Sequence, residues 1–144
     1  MKVMGLVKAS EASEAGRMPS EDELRAMGAY NEQLVAAGIM RGGEGLHASA
    51  RGRRVRFDGH GGHTVIPGPF GPAQDVLAGF WLWEVASMDE ATAWLERAPF
   101  PADAELELRQ VIDMDDLGEA VTPEIRDRDQ RLREAAARRA SQGG

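Results

Sequence analysis

One strand constrains the rest of the chain. In Gly79-Phe80-Trp81-Leu82-Trp83-Glu84-Val85, Phe80 and Leu82 point one way while Trp81, Trp83 and Val85 point the other. Both sets are apolar, so both faces of this strand need cover. The stretch from Thr64 to Val85 also holds two of the three Trp and two of the four Phe. Its loop Pro67–Pro72 contains three prolines and two glycines, which no central strand tolerates.

The other segments supply what such a strand needs. Lys2–Lys8 is short, apolar and strand-like, and Ala9–Pro19 reads as a long polar loop. Ser20-Glu21-Asp22-Glu23 is a capping box, followed by Leu24, Met27, Tyr30, Leu34 and Val35 at helical spacing and by Gly38 as a stop. Ile39–His47, with three glycines, reads as an irregular or bulged strand. Arg53–Phe57 and His63–Ile66 form a hairpin around the Asp58-Gly59 turn. Ala73–Ala78 suits one helical turn. Ser87 and Glu90 frame a second capping box, whose helix buries Ala91, Trp94 and Leu95 and ends at Ala98-Pro99. Glu105–Asp113 alternates, with Leu106, Leu108 and Ile112 opposite Glu107, Arg109 and Val111. Thr122-Pro123 opens a final helix with a thin stripe of Ile125, Leu132 and Ala136, and disorder is expected from Ser141 to Gly144.

The core order is thus β-α-β-(hairpin)-β-α-β. This predicts an α+β fold: a ferredoxin-like split βαβ with a four-stranded antiparallel sheet, an inserted hairpin and an extra C-terminal helix. Residues 1–118 form the α+β domain and 119–144 its helical extension. Two helices cover one sheet face. The expectation is that Trp81, Trp83 and Val111 lie on the other, and that a second copy packs there around a two-fold axis.

Composition narrows the partners. The net charge is −7. Residues 121–144 hold six Arg against four acids, so the remainder carries −9. An acidic body disfavours binding to nucleic-acid phosphates. No apolar run approaches the ~20 residues of a membrane helix, and no signal peptide is read. There is no cysteine, which excludes thiol and disulfide chemistry. A cytoplasmic location follows as the default.

Several pieces, in order along the chain, resemble the YCII-related family and its DGPF subgroup. They include Gly45-Leu46-His47, Val55-Arg56-Phe57, Gly68-Pro69-Phe70, Gly79-Phe80-Trp81-Leu82, Glu107-Leu108-Arg109-Gln110-Val111 and Thr122-Pro123-Glu124-Ile125-Arg126. The resemblance implies a dimeric α+β barrel. The chain departs from the subgroup at Pro67, where an Asp is usual. It departs again at Pro72-Ala73-Gln74-Asp75, where an acid-and-Lys stretch is usual. More distant relatives on this barrel include lyases, isomerases and monooxygenases, so the fold alone assigns no reaction.

Candidate chemistry rests on few residues. Glu107 and Arg109 share a strand face. Arg109 is the candidate anion anchor and Glu107 a candidate base, against the alternative of a structural ion pair. His47, where the irregular strand meets its loop, is a candidate acid or base, against an ordinary surface histidine. Trp81, Trp83 and Phe70 are candidate ligand-binding aromatics, with interface packing as the alternative for the tryptophans. His60-Gly61-Gly62-His63 has a two-ligand spacing, but structural zinc needs four ligands, so it reads as a solvated hairpin tip. Asp113, Asp115 and Asp116 lack the EF-hand spacing. No metal and no cofactor is expected.

Two functions remain open at this level. One is a small-molecule-binding protein or enzyme performing acid/base chemistry on a small anionic or carbonyl-containing substrate in a Trp-lined cleft. The other is a noncatalytic dimeric accessory or regulatory module that contacts a protein partner through its C-terminal helix.

Overall fold

The computed structural model describes residues 1–143 and contains two compact units, Met1–Val111 and the segment from Ile112 onward. The first unit runs β1 (Lys2–Lys8), α1 (Glu11–Glu14), α2 (Glu21–Ala36), β2 (Met40–Gly45), β3 (Arg53–Phe57), β4 (His63–Pro67), β5 (Leu77–Glu84), α3 (Met88–Leu95) and β6 (Leu106–Gln110). β2, β5, β1 and β6 form one antiparallel sheet in that order. β3 and β4 form a separate two-stranded sheet. With the hairpin set aside, this is the split βαβ arrangement, the first strand lying between the third and the fourth.

Local chemistry sets the helix ends. Ser20 Oγ accepts from Glu23 N at 3.1 Å, and Ser20 N donates to Glu23 Oε2 at 3.3 Å. At the other end of α2, Gly38 has φ +73, Gly38 N donates to Val35 O, and Ile39 N donates to Leu34 O. These two bonds close the helix on a left-handed residue and leave Leu34 and Ile39 together in the core. Leu24 and Val35 stay exposed, so the buried stripe of α2 is narrower than its apolar pattern. At α3 the Ser87 hydroxyl caps Glu90 N, but the Glu90 carboxylate reaches the Ala86 N–H rather than that of Ser87. The expected loop over Ala9–Pro19 contains the short helix α1, capped by Ser10 and Ser13. No apolar periodicity announces a four-residue helix with no buried residue.

The sheet faces carry the main correction. Gly5 of β1 pairs with Trp81 of β5 and with Leu108 of β6, and Val3 pairs with Trp83. Trp81 and Trp83 therefore share the face of Leu106 and Leu108, not that of Glu107 and Arg109. Trp81 and Trp83 are buried with Tyr30 and Leu34 of α2 and Ala91 of α3. Trp81 Nε1 donates to Asn31 Oδ1 at 3.0 Å, and the Tyr30 hydroxyl donates to Trp94 O at 2.6 Å, tying both helices to this layer. The opposite face holds Met4, Leu6, Phe80, Leu82, Glu107 and Arg109, each partly or fully exposed.

The second unit is a 3-10 segment, Met114–Ala120, followed by α4 (Pro123–Gln142). Asp113 Oδ1 accepts from Asp115 N and Asp116 N, and Asp113 N donates to Asp116 Oδ2. Two of the three clustered aspartates thus cap the 3-10 turn reciprocally. α4 continues through Ser141 and Gln142, where disorder is expected; Gly144 lies outside the described residues. Thr122 Oγ1 caps Ile125 N, and Pro123 occupies the first turn. Among the described residues, no helix is long and apolar enough to cross a membrane.

Candidate functional site

A cleft of about 610 Å³ opens beside the end of β2 and the start of β5. His47, Arg51, Arg54, Phe70 and Asp75 give it its chemistry. Leu46 and the buried Val76 supply part of an apolar wall. Two of the expected site residues, His47 and Phe70, meet here across a long sequence separation. Trp81, Trp83, Glu107 and Arg109 do not line it.

Each side chain is placed by a local device. β2 ends at Gly45, and Leu46 N donates to Ala78 O at 2.8 Å, which sends the chain out of the sheet at His47. The 3-10 turn Ser49–Arg51 follows, and its single turn brings Arg51 back to His47. Arg51 Nη1 lies 3.1 Å from Nδ1 and 3.0 Å from Nε2 of His47. A guanidinium only donates, so in this pairing an imidazole nitrogen accepts. Arg54, on β3, lies over the Phe70 ring at 4.2 Å from its centroid. That stacking holds both groups and leaves the other donors of the guanidinium free for an anion.

Phe70 is fixed from behind. Its N–H donates to Ser49 Oγ at 3.0 Å. Gly68 approaches the Ser49 carbonyl oxygen so closely that a Cβ at position 68 would overlap it. Gly68 N also donates to Gly52 O. The glycine of Gly68-Pro69-Phe70 is thus required by contact with the 49–52 turn. Ser49 in turn bonds Glu14 of α1, through Ser49 N to Oε1 at 2.9 Å and through a short hydroxyl bond to Oε2. The Ser49 hydroxyl, and then its N–H, hold the Glu14 carboxyl below the usual carboxylate range.

Glu107 and Arg109 occupy a different setting. Arg109 Nη1 lies 3.1 Å from Glu107 Oε2, with side chains 72% and 41% exposed for Arg109 and Glu107. They form a solvated ion pair on the sheet face carrying Met4, Leu6, Phe80 and Leu82. The tryptophan lining expected around them lies on the other side of the sheet, because alternation fixes which residues of one strand share a face but not how the faces of separate strands match, which the pairing register decides. Glu14, Ser49, Arg51 and Arg54 are not singled out by the sequence reading. Their one visible signal is four arginines between positions 51 and 56 in a chain of net charge −7.

The geometry now has a family to stand beside it. The YCII-related domain matches residues 1–115, and the chain belongs to that family. Among solved structures, it is similar to the 5-chloro-2-hydroxyhydroquinone dehydrochlorinase of Burkholderia phenoliruptrix AC1100, solved in complex with 2,5-dihydroxybenzoquinone. The identity is 21% over 80% of this chain and 98% of that one, with a TM-score of 0.41. No curated protein matches it.

Proposed function

We propose that the protein binds a small organic anion in the cleft and that His47 moves a proton on it. The carrying observation is the convergence of His47, Arg51, Arg54 and Phe70 on one cavity. Arg51 and Arg54 supply charge and directed donors for a carboxylate or an enolate oxygen. Phe70 and the aliphatic wall suit a flat apolar body. Asp75 is the one carboxylate among the five polar or aromatic groups named above, so the balance there favours an anion.

The chemistry that fits is proton abstraction next to a carbonyl. Once Arg51 turns from the imidazole nitrogen to the substrate oxygen, that nitrogen takes a C–H proton, the C–H bond pair becomes the enolate double bond, and the oxygen charge that results rests on the guanidinium. Reprotonation at the same carbon restores the substrate, and protonation at the enolate oxygen gives its enol tautomer. Phenylpyruvate is a suitable probe, with an aromatic body, a carboxylate and acidic C–H bonds beside a ketone. The protein is expected to accelerate exchange of those protons in deuterium oxide, and His47→Asn to lower that acceleration by about a hundredfold or more. Exchange no faster than in buffer, or undiminished in His47→Asn, would refute the proton-transfer role.

Gly68-Pro69-Phe70 supports a place within the DGPF subgroup of the family. The exposed sheet face supports a homodimer, with Phe80, Leu82, Met4 and Leu6 of two copies in contact and the Glu107–Arg109 pair at the edge. A monomeric mass in sedimentation at micromolar concentration speaks against that assembly. The second reading, a protein contact through α4, draws on the exposure of Ile125 and Leu132 on its apolar stripe. Pull-down with a protein ending at Val121 tests it, and unchanged partners would remove the helix from that role.

A further inference from the structure

We propose that Glu14 is a positioning residue for the cleft, acting through the Ser49 hydroxyl on the backbone of Phe70. The inference rests on the reading of the cleft as the binding site. Glu14 itself contributes nothing to the cleft lining, and sequence separates it from Ser49 by 35 positions and Ser49 from Phe70 by 21.

A serine hydroxyl has one proton and two lone pairs. At Ser49 the Phe70 N–H needs a lone pair, so the proton has to point elsewhere. An ionised carboxylate only accepts, and Glu14 Oε2 sits where it takes that proton. Glu14 therefore fixes the rotor of the Ser49 hydroxyl in the orientation that Phe70 requires. The Ser49 N–H to Glu14 Oε1 bond anchors the same turn a second time. Ser49 is buried, at 7% exposure, and its bonds to Glu14 and Phe70 are partly buried, so water competes for them less than at an open surface. Hydrogen bonding from the Ser49 hydroxyl and N–H lowers the pKa of Glu14, in keeping with a carboxylate that only accepts here.

The arrangement joins three segments that sequence does not join. α1 brings Glu14, the 3-10 turn brings Ser49 and Arg51, and the loop after β4 brings Phe70. Arg54 is stacked on Phe70, so a shift of the Phe70 backbone also moves the guanidinium that faces the ligand. Without Glu14 the hydroxyl is free to turn its proton toward the Phe70 N–H, and the loop loses its anchor while the tryptophan core is untouched.

Amide hydrogen exchange and calorimetric titration with phenylpyruvate test this on the full chain. In Glu14→Ala, exchange of the Phe70 amide is expected to quicken by about threefold to tenfold, the equivalent of one ordinary hydrogen bond. Phenylpyruvate affinity should fall by a similar factor, with the Trp83 indole resonance unmoved. Glu14→Gln keeps one acceptor oxygen and should give a smaller change in the same direction. Ser49→Thr keeps the hydroxyl and should keep the Phe70 amide slow. A Phe70 amide that exchanges at the wild-type rate in Glu14→Ala overturns the proposal. So does unchanged affinity in that variant when the wild type binds the probe. If the wild type binds no phenylpyruvate, the binding-site reading fails, while the Phe70 amide still decides whether Glu14 positions the loop.

Discussion

Gly43 of β2 lies against the Trp81 indole: a Cβ at position 43 would come 2.8 Å from Trp81 Cδ1 and 3.0 Å from the Phe80 carbonyl oxygen. The edge strand can pair with β5 here only because it lacks a side chain. Gly43→Ala is therefore expected to destabilise the fold by about 1–3 kcal/mol, as overpacking does elsewhere. Gly42→Ala, whose Cβ would meet nothing within 4 Å, should leave the urea midpoint nearly unchanged. Equal midpoints for the two variants would contradict this packing.

The two tryptophans of β5 should respond differently to the same change. Trp81 Nε1 has Asn31 as its acceptor, whereas the buried Trp83 Nε1 has no partner among the described residues. Trp83→Phe leaves a smaller side chain but also removes an unsatisfied N–H, and the two effects offset. Trp81→Phe loses a formed bond as well as volume. It should cost more than Trp83→Phe by about 1–2 kcal/mol in equilibrium unfolding. The reverse order would show that Trp83 has an acceptor in solution.

Tyr30 is the single tyrosine, so its ionisation can be followed by tyrosinate absorbance without overlap. Burial pushes its pKa up to about 12, against a smaller lowering by Arg97. The folded protein therefore holds this proton where the unfolded chain, near 10, gives it up. The contribution to stability is fully present below about pH 10 and declines as pH rises toward about 12. Tyr30→Phe should flatten that alkaline decline. A tyrosinate midpoint at 10 in the folded protein would contradict the burial of the hydroxyl.

Gly68→Ala tests the cleft wall. Its Cβ would overlap the Ser49 carbonyl oxygen, which belongs to backbone and cannot swing aside. The loop carrying Phe70 must move, and phenylpyruvate affinity should fall by about tenfold or more, since small displacements of a positioned group are costly. Trp fluorescence should report an intact sheet and α2. Wild-type affinity in Gly68→Ala would mean that Phe70 is not a binding group.

Much of the scaffold is legible in the sequence because local rules and tertiary packing agree there. The Ser20–Glu23 box, the Gly38 stop and the alternation of β5 are each read from a few adjacent residues. The face assignment of Trp81 and Trp83 is not legible, because β5 is apolar on both sides. Only the pairing of Gly5 with Trp81 and Leu108 separates the tryptophans from Glu107 and Arg109. The candidate site is harder still. Its bonds join residues 14, 49 and 70, and nothing in the local pattern around Glu14 or Ser49 records that they meet. His47 stands out by chemical type alone and Phe70 by family resemblance.

The central claim is that the ligand site is the His47–Arg51–Arg54–Phe70 cleft rather than the exposed sheet face. Backbone and side-chain resonance mapping during titration with phenylpyruvate tests it most directly. Saturable shifts are expected at His47, Arg51, Arg54 and Phe70, abolished together in Arg51→Gln/Arg54→Gln. Shifts centred instead on Leu6, Phe80 and Arg109, or no saturable shift at any residue of the cleft, would contradict it.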